Sequence, residues 1–374
     1  MSVSSSSSVT HHLVNHYSKY CQRIILETDP LFVQLVYFLS LSLLGFCLLL
    51  VTEPRPNYVD KPSNMDLFFM SVSAATTSSM SVVEMEFFSN NQLLILTFLM
   101  FVGSDIFVSI VGLQCSISKL RRKRKNENQV DDHLHETEMG VIKEIGDPEN
   151  WKTEDVYQIA SNHLRYNAIR FLGLVVIAYF LVAHLLGFIL IPIYLSIFPN
   201  INNLLKSKRL SPFTFVVFTT VSSFTNCGFI PVNENMIVFK KNSGLLLILI
   251  PQILFGYTLY PPCLRFCIWF AGKFVKKAEA KYLLETPSQE ICYFHWLSAR
   301  HSTFLTLTVF GFLLIQFAMF YSMEWNSEGL SELDNYERII GVLFVIVNTR
   351  YAGETILDLW NIAPAIWVLF VFLM

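Results

Sequence analysis

From Phe171 to Leu205 the chain runs for 35 residues without a charged side chain. At 1.5 Å per helical residue such a run is longer than the roughly 30 Å hydrocarbon core of a bilayer, so it reads as a membrane span. Its outer end is expected to project beyond the bilayer or to break near Pro192. Pro30–Thr52, Asn91–Gly112, Asn242–Leu264 and His301–Met323 form four more spans, and Asn361–Met374 begins a sixth. Composition agrees: 53% of residues are hydrophobic and 15% are charged, which excludes an ordinary soluble enzyme. The seven cysteines are scattered without a CxxC pair, which gives neither a zinc site nor a disulfide framework. No nucleotide loop, HExxH or Ser/His/Asp context is present, so the chain is expected to be no enzyme and to need no cofactor. The start, MSVSSSSSVTHH, lacks the basic region and short apolar core of a secretory signal, so the first span is expected to be retained.

Three further apolar segments, Leu67–Val83, Leu210–Asn233 and Ile339–Thr349, are too short or too rich in Thr, Ser, Gly and Asn to cross. Each lies between two spans, so the order span, short segment, span recurs three times. This is an internal repeat. Six cations crowd into Lys119–Lys125, and Arg265, Lys273, Lys276, Lys277, Lys281 and Arg300 follow the fourth span. Short basic loops stay cytoplasmic, which places the amino terminus inside as well. Beside a span the basic run needs lipid phosphates rather than nucleic acid as neighbours. The expected organisation is a cytoplasmic amino terminus over 1–29, a first repeat over 30–118, a basic and acidic cytoplasmic linker over 119–165, a second repeat over 166–272, a cytoplasmic linker over 273–300, and an incomplete third repeat over 301–374. His133 and His135 in the first linker have HxH spacing but no third fixed ligand.

Irregular backbone survives at membrane depth only where protein or water satisfies it, so a segment that enters and turns back must line something. The segments align with one another. Phe69-Met70-Ser71-Val72-Ser73 followed by Thr76-Thr77-Ser78-Ser79-Met80 matches Phe218-Thr219-Thr220-Val221-Ser222 followed by Thr225-Asn226-Cys227-Gly228-Phe229. Arg350-Tyr351-Ala352-Gly353-Glu354 aligns less closely and sets Gly353 beside Ser79 and Gly228. Five residues later the copies carry Glu84, Asn233 and Asp358. A dehydrated cation needs several oxygens, which a strand with inward carbonyls supplies, and glycine permits the backbone angles. A helix ending at that strand adds its negative end. The competing reading is polar hairpins, or weakly hydrophobic spans of some other transporter.

SVSAATTSSMSVVEMEFFSNNQL, SSFTNCGFIPVNENM and NTRYAGETILDL followed by NIAPAIWVLFVFLM resemble the plant high-affinity potassium transporter family, within the wider Trk/Ktr superfamily. The resemblance covers nearly all of the membrane region. It implies an all-α polytopic membrane protein built of four repeats, each a transmembrane helix, a pore helix with a filter strand, and a second transmembrane helix, of which this sequence holds two and most of a third. It implies transport of Na+, or of Na+ with K+, across the plasma membrane, with membrane lipids as partners and a homo-oligomer left open. Carried over residue by residue, the filter comprises Thr77, Ser78 and Ser79, then Asn226, Cys227 and Gly228, then Ala352 and Gly353. Na+ or K+ would pass transiently at Ser79, Gly228 and Gly353. Serine in the first repeat, where others have glycine, marks the sodium-selective subfamily: its Cβ and hydroxyl narrow the ring and restrict the backbone. Thr77 stands where the family pattern has valine, and Tyr351-Ala352 where it has histidine and threonine. Glu84, Asp105, Asn233 and Asp358 are expected to line or support the pore.

Asp105 falls inside the second span, where an ionised carboxylate must face water or the bundle interior. It is expected near the cation path or paired with a neighbouring repeat. His184 in the third span reads as a hydrogen-bonded packing residue, and Arg55, Lys61, Lys206, Lys208 and Arg209 as solvated external cations. The sequence ends inside the second span of the third repeat, and a three-sided filter would leave backbone groups facing lipid at several kcal/mol each. The 374-residue product alone is therefore expected not to form a normal pore; beside sodium-selective transport, the alternatives are a K+-permeable or Na+/K+ co-transporting member, and a non-conducting polypeptide that assembles with full-length relatives.

Overall fold

The computed structural model describes residues 30–55, 62–122 and 153–373, apart from residues 276, 292, 326, 359 and 361. The expectations for the amino terminus, Lys61, His133 and His135 lie outside the described residues.

Each unit starts with a long apolar helix: α1 (Pro30–Val51), α5 (Thr153–Ile197) and α11 (Ala299–Glu324). All three are long and apolar enough to cross a membrane, and their surfaces carry exposed Leu, Val, Ile and Phe, as lipid-facing helices require. Pro192 lies inside α5 without ending it. The break comes at Phe198, before a short amphipathic helix, α6 (Pro199–Ser207), so the expected interruption sits one and a half turns later than the proline. The last turns of the first linker are also helical, since α5 begins at Thr153.

The second helix of each unit is shorter and buried. These are α2 (Asn64–Ala75), α7 (Pro212–Thr225) and α12 (Asn335–Arg350), so the third expected segment, Ile339–Thr349, is a helix that starts four residues earlier. Sequence dictates their starts. Ser63 with Asp66, and Asp334 with Glu337, form reciprocal capping boxes, and Ser211-Pro212 opens α7 with proline where no N–H is needed. All three end where irregular backbone begins. No β-strand occurs among the described residues, so the expected filter strands are non-repetitive loops.

The two returning spans are broken rather than straight. The second is α3 (Asn90–Gly103) and α4 (Asp105–Arg122), bent by 50°, and the fourth is α8 (Ser243–Gly256) and α9 (Tyr260–Phe274), bent by 85°. The first junction holds no proline, whereas the second is followed by Pro261 and Pro262 in the first turn of α9, which cannot continue the helical hydrogen bonds of α8; at both, a close glycine contact sets where the helix turns. A Cβ on Gly103 would stand 1.8 Å from the carbonyl oxygen of Ala75, and one on Gly256 1.9 Å from that of Phe224. Each returning helix therefore crosses the carboxyl end of its own buried helix at a glycine and then turns away. α10 (Lys277–Glu285) follows α9, and α13 (Pro364–Leu373) closes the described chain.

Gln92 shows how the first unit is tied together. Its Oε1 accepts from Ser89 N to cap α3, while its Nε2 donates to the carbonyls of Leu49 and Thr52 at the end of α1 (3.2 and 3.0 Å). His184 is 3% exposed, bonded through Nδ1 to the Phe180 carbonyl at 2.8 Å and stacked among Phe101, Phe180 and Phe224, which is the packing role its sequence context suggests.

Candidate functional site

The three loops after α2, α7 and α12 share one backbone signature. Ser79, Gly228 and Gly353 all have positive φ, at 56°, 71° and 72°. These are the three positions that sequence alignment sets side by side, and all three line one cavity of about 400 Å³ together with Ala352, Glu84 and Asn233. The first two copies match further. Thr77 and Asn226 are also left-handed (φ 49° and 55°), and each loop is closed by an N–H reaching five residues back, Ser78 N to Ser73 O and Cys227 N to Ser222 O, both 3.0 Å. In the third copy the bond runs from Gly353 N to Asn348 O (2.9 Å), one residue later, and Tyr351 is right-handed. That one-residue shift is why its sequence aligns less closely.

The ring is tight between the second and third copies: a Cβ on Gly228 would lie 1.6 Å from the Ala352 carbonyl oxygen. Behind the ring the loops are held by side chains of the buried helices. Ser73 Oγ donates to the Met80 carbonyl (2.7 Å) and meets Ser78 Oγ at 3.1 Å. Ser223 Oγ donates to Glu354 Oε1 (3.1 Å), and Glu354 is 1% exposed. Cys227 and Ala352 are buried as well, and Ala352 lines the cavity. The residues at the carboxyl ends of the three helices, Thr76, Thr225 and Arg350, border a second cavity on the other side of the loops, where the peptide dipoles place negative charge.

This second cavity has a volume of about 310 Å³. Thr76, Thr77, Asn226 and Tyr351 line it from the ring side and Asp105 and Arg350 supply its charge. Asp105 is the first residue of α4, immediately after the bend at Ser104, so the break in the span is what exposes its carboxylate to the cavity. Arg350 was not singled out in the sequence, though its place at the carboxyl end of α12 was a signal. Neutralising Asp105 leaves Arg350 as the cavity's charged group. A unit charge at ~8 Å and an effective dielectric of ~20 is worth about 2 kcal/mol. Solvent screening in an open cavity brings the expected effect of Asp105→Asn to a roughly tenfold loss of cation current, read against Arg350→Gln, which should increase it.

On the opposite side, the mouth is a network joining the first two units. Asn233 Nδ2 donates to Glu84 Oε2 (2.9 Å), Glu86 N donates to Asn233 Oδ1 (3.1 Å), and Lys208 Nζ is paired with Glu86 Oε1 at 2.8 Å and with Glu234. Lys208 is therefore an ion-paired member of the mouth, not the solvated cation expected, and Arg55 Nη1 donates to its carbonyl at 2.8 Å. Partial burial works against the Lys208 ammonium, but Glu234 and Glu86 outweigh it and raise its pKa, while the hydrogen bond from Lys208 lowers that of Glu234. The lowered carboxylate contributes stability above its ordinary value near 4.3 and loses it as pH falls; the raised ammonium contributes below about 10.4 and loses it as pH rises. The cluster is thus intact at neutral pH. Lys208→Gln exposes uncompensated carboxylates and should lower the half-saturating cation concentration about twofold at low ionic strength, with the difference vanishing near 1 M salt.

Asp358, the third counterpart of Glu84 and Asn233, is not among the residues that line the ring cavity; its Oδ1 accepts from Trp360 N (3.2 Å) within its own turn. The second and third units are joined instead by Asn235, whose Oδ1 accepts from Thr355 N (3.3 Å), beside the bond from Met236 N to Thr355 O (3.1 Å).

Comparison with known proteins adds an independent line. Residues 157–374 match the TrkH family, described as cation transport protein. The chain is 40% identical over 365 residues to the cation transporter HKT1;3 of Oryza sativa subsp. japonica, covering 95% of this chain and 68% of that protein. It is 43% identical over 324 residues to the sodium transporter HKT1 of Arabidopsis thaliana, covering 87% and 63%. To the probable cation transporter HKT2;3 of Oryza sativa subsp. japonica it is 34% identical over 364 residues, covering 97% and 70%. The chain spans about two thirds of the length of these curated relatives.

Proposed function

Since this chain belongs to the TrkH family of cation transport proteins, we propose that it supplies three of the pore-forming loops of a transporter that conducts monovalent cations, Na+ in preference to K+, across the plasma membrane with its amino terminus in the cytoplasm. One observation carries the reading: three separate loops, each following a buried helix, bring a left-handed residue, Ser79, Gly228 and Gly353, to the wall of one cavity. On this reading the loops' backbone carbonyls replace part of a cation's hydration shell without buried side-chain charge.

The path runs from the mouth network at Glu84, Glu86 and Asn233, past the ring, to the cavity that holds Asp105. Thr77, Ser78 and Ser79, Asn226, Cys227 and Gly228, and Ala352 and Gly353 form its narrow part, with Asp105 lowering the energy of a cation that has passed. No covalent step is involved, and K+ enters this reading as the disfavoured ion. Ser79 contributes the discrimination, because a side chain at that position restricts the first loop as the two glycines do not restrict theirs. The test is current recorded from oocytes that express the protein at full length. Replacing external Na+ by K+ should move the reversal potential strongly negative. Equal reversal potentials in the two ions would overturn the sodium preference, and current carried by Cl− would overturn the whole reading.

A further inference from the structure

A cavity of about 530 Å³ lies apart from the ion path, between α9 and α11. Arg265, Phe266 and Trp269 of α9 face Ser302, Thr303 and Thr306 of α11 across it. Each set falls on one helix face by its spacing of three and four residues. Two chemistries meet there. Phe266 is 62% and Trp269 51% exposed, and an aromatic row continues from Phe266 through Phe270 to Phe274. Beside this apolar wall stands a guanidinium that is fixed in place: Arg265 Nη1 donates to Leu297 O (3.0 Å), Nη2 donates to Leu284 O (2.9 Å), and the group rides on the Trp296 ring at 5.3 Å. These carbonyls take two of its five N–H donors. The Ser302 hydroxyl is buried at the cavity wall with no hydrogen-bond partner among the described residues, one turn inside the amino end of α11. Lys273 lies over Trp269 at 5.9 Å, and the chain from Arg265 to Arg300 carries six cations against three carboxylates.

An apolar groove on a membrane helix pair, with a fixed cation and a hydroxyl at one side, complements an amphiphile with an anionic head. We propose that this groove binds one anionic glycerophospholipid, with its phosphate on Arg265 and Ser302 and an acyl chain against Phe266 and Trp269. Arg265 suits this better than lysine would, since its planar fork can hold the two backbone carbonyls and a phosphate oxygen together. The inference rests on the membrane placement of α9 and α11 and not on the ion selectivity of the ring.

Tryptophan quenching by brominated lipid tests it directly. The full chain is placed in phosphatidylcholine nanodiscs containing either dibrominated phosphatidylserine or dibrominated phosphatidylcholine at equal mole fraction, and Trp269 is isolated by subtracting the Trp269→Phe variant. Phosphatidylserine should quench Trp269 about fivefold more effectively. Arg265→Gln should abolish the preference. Because Arg265 also ties α9 to α10 and to the segment before α11, Thr303→Phe serves as the second variant: it fills the groove and should remove quenching by either lipid while the helical circular dichroism is unchanged. Equal quenching by the two lipids would overturn the proposal in favour of ordinary boundary lipid. No quenching by either, with cross-linking between copies through Thr303→Cys, would overturn it in favour of a second copy of the chain in the groove.

Discussion

Gly228→Ala is expected to reduce cation current to background at unchanged surface expression. The new Cβ would stand 1.6 Å from the Ala352 carbonyl oxygen, a distance no relaxation of side chains can repair, because the obstacle is backbone. Either the second loop withdraws or the third is pushed aside, and both alter the ring. The residue's positive φ adds strain of about 1–2 kcal/mol for any side chain. Gly353 offers the internal control. It has the same left-handed backbone, yet a Cβ there would meet nothing within 4 Å. Gly353→Ala therefore carries the conformational cost without the collision and should retain measurable current. If Gly228→Ala conducts like the wild type, the second and third loops are not apposed as described.

Much of this arrangement was legible in the sequence, and the parts that were not have a common cause. The long spans are legible because a bilayer demands apolar length, which one stretch of chain supplies by itself. The offset between Ser79 and Gly228 is legible because both loops use the same closing bond and the same pair of left-handed residues. The third loop is less so, since its closing bond is shifted by one and Tyr351 takes another conformation. The bend at Ser104 arises where Gly103 meets the end of another helix, a long-range event with little local trace, while the bend at Tyr257 adds Pro261 and Pro262 to the same kind of contact at Gly256. Pro192 misleads in the opposite direction: its missing N–H is tolerated within α5, and the helix ends later. Lys208 looked like a solvated cation because its partners Glu86 and Glu234 come from elsewhere in the chain. Asp358 looked equivalent to Glu84 and Asn233, but it is not among the residues that line their cavity, and its carboxylate accepts a local bond from Trp360 N.

Ser79 is the residue on which the sodium reading depends. It holds φ at 56°, a region where glycine is at ease and serine costs about 1–2 kcal/mol. The corresponding positions in the other two loops are glycine, so the fold has no need of a side chain there. On the proposed reading this serine acts on the ion: its Cβ would limit how far the first loop opens, which disfavours K+ because it needs a wider oxygen shell than Na+. Ser79→Gly should relax the backbone, leave the protein at least as stable to heat, and widen the set of permeant ions. The most direct test is the change in reversal potential when external Na+ is replaced by K+, measured on wild type and Ser79→Gly in the same cells. The wild type should show a large negative shift and Ser79→Gly a shift near zero; an equally large shift in the variant would contradict the assignment of selectivity to Ser79.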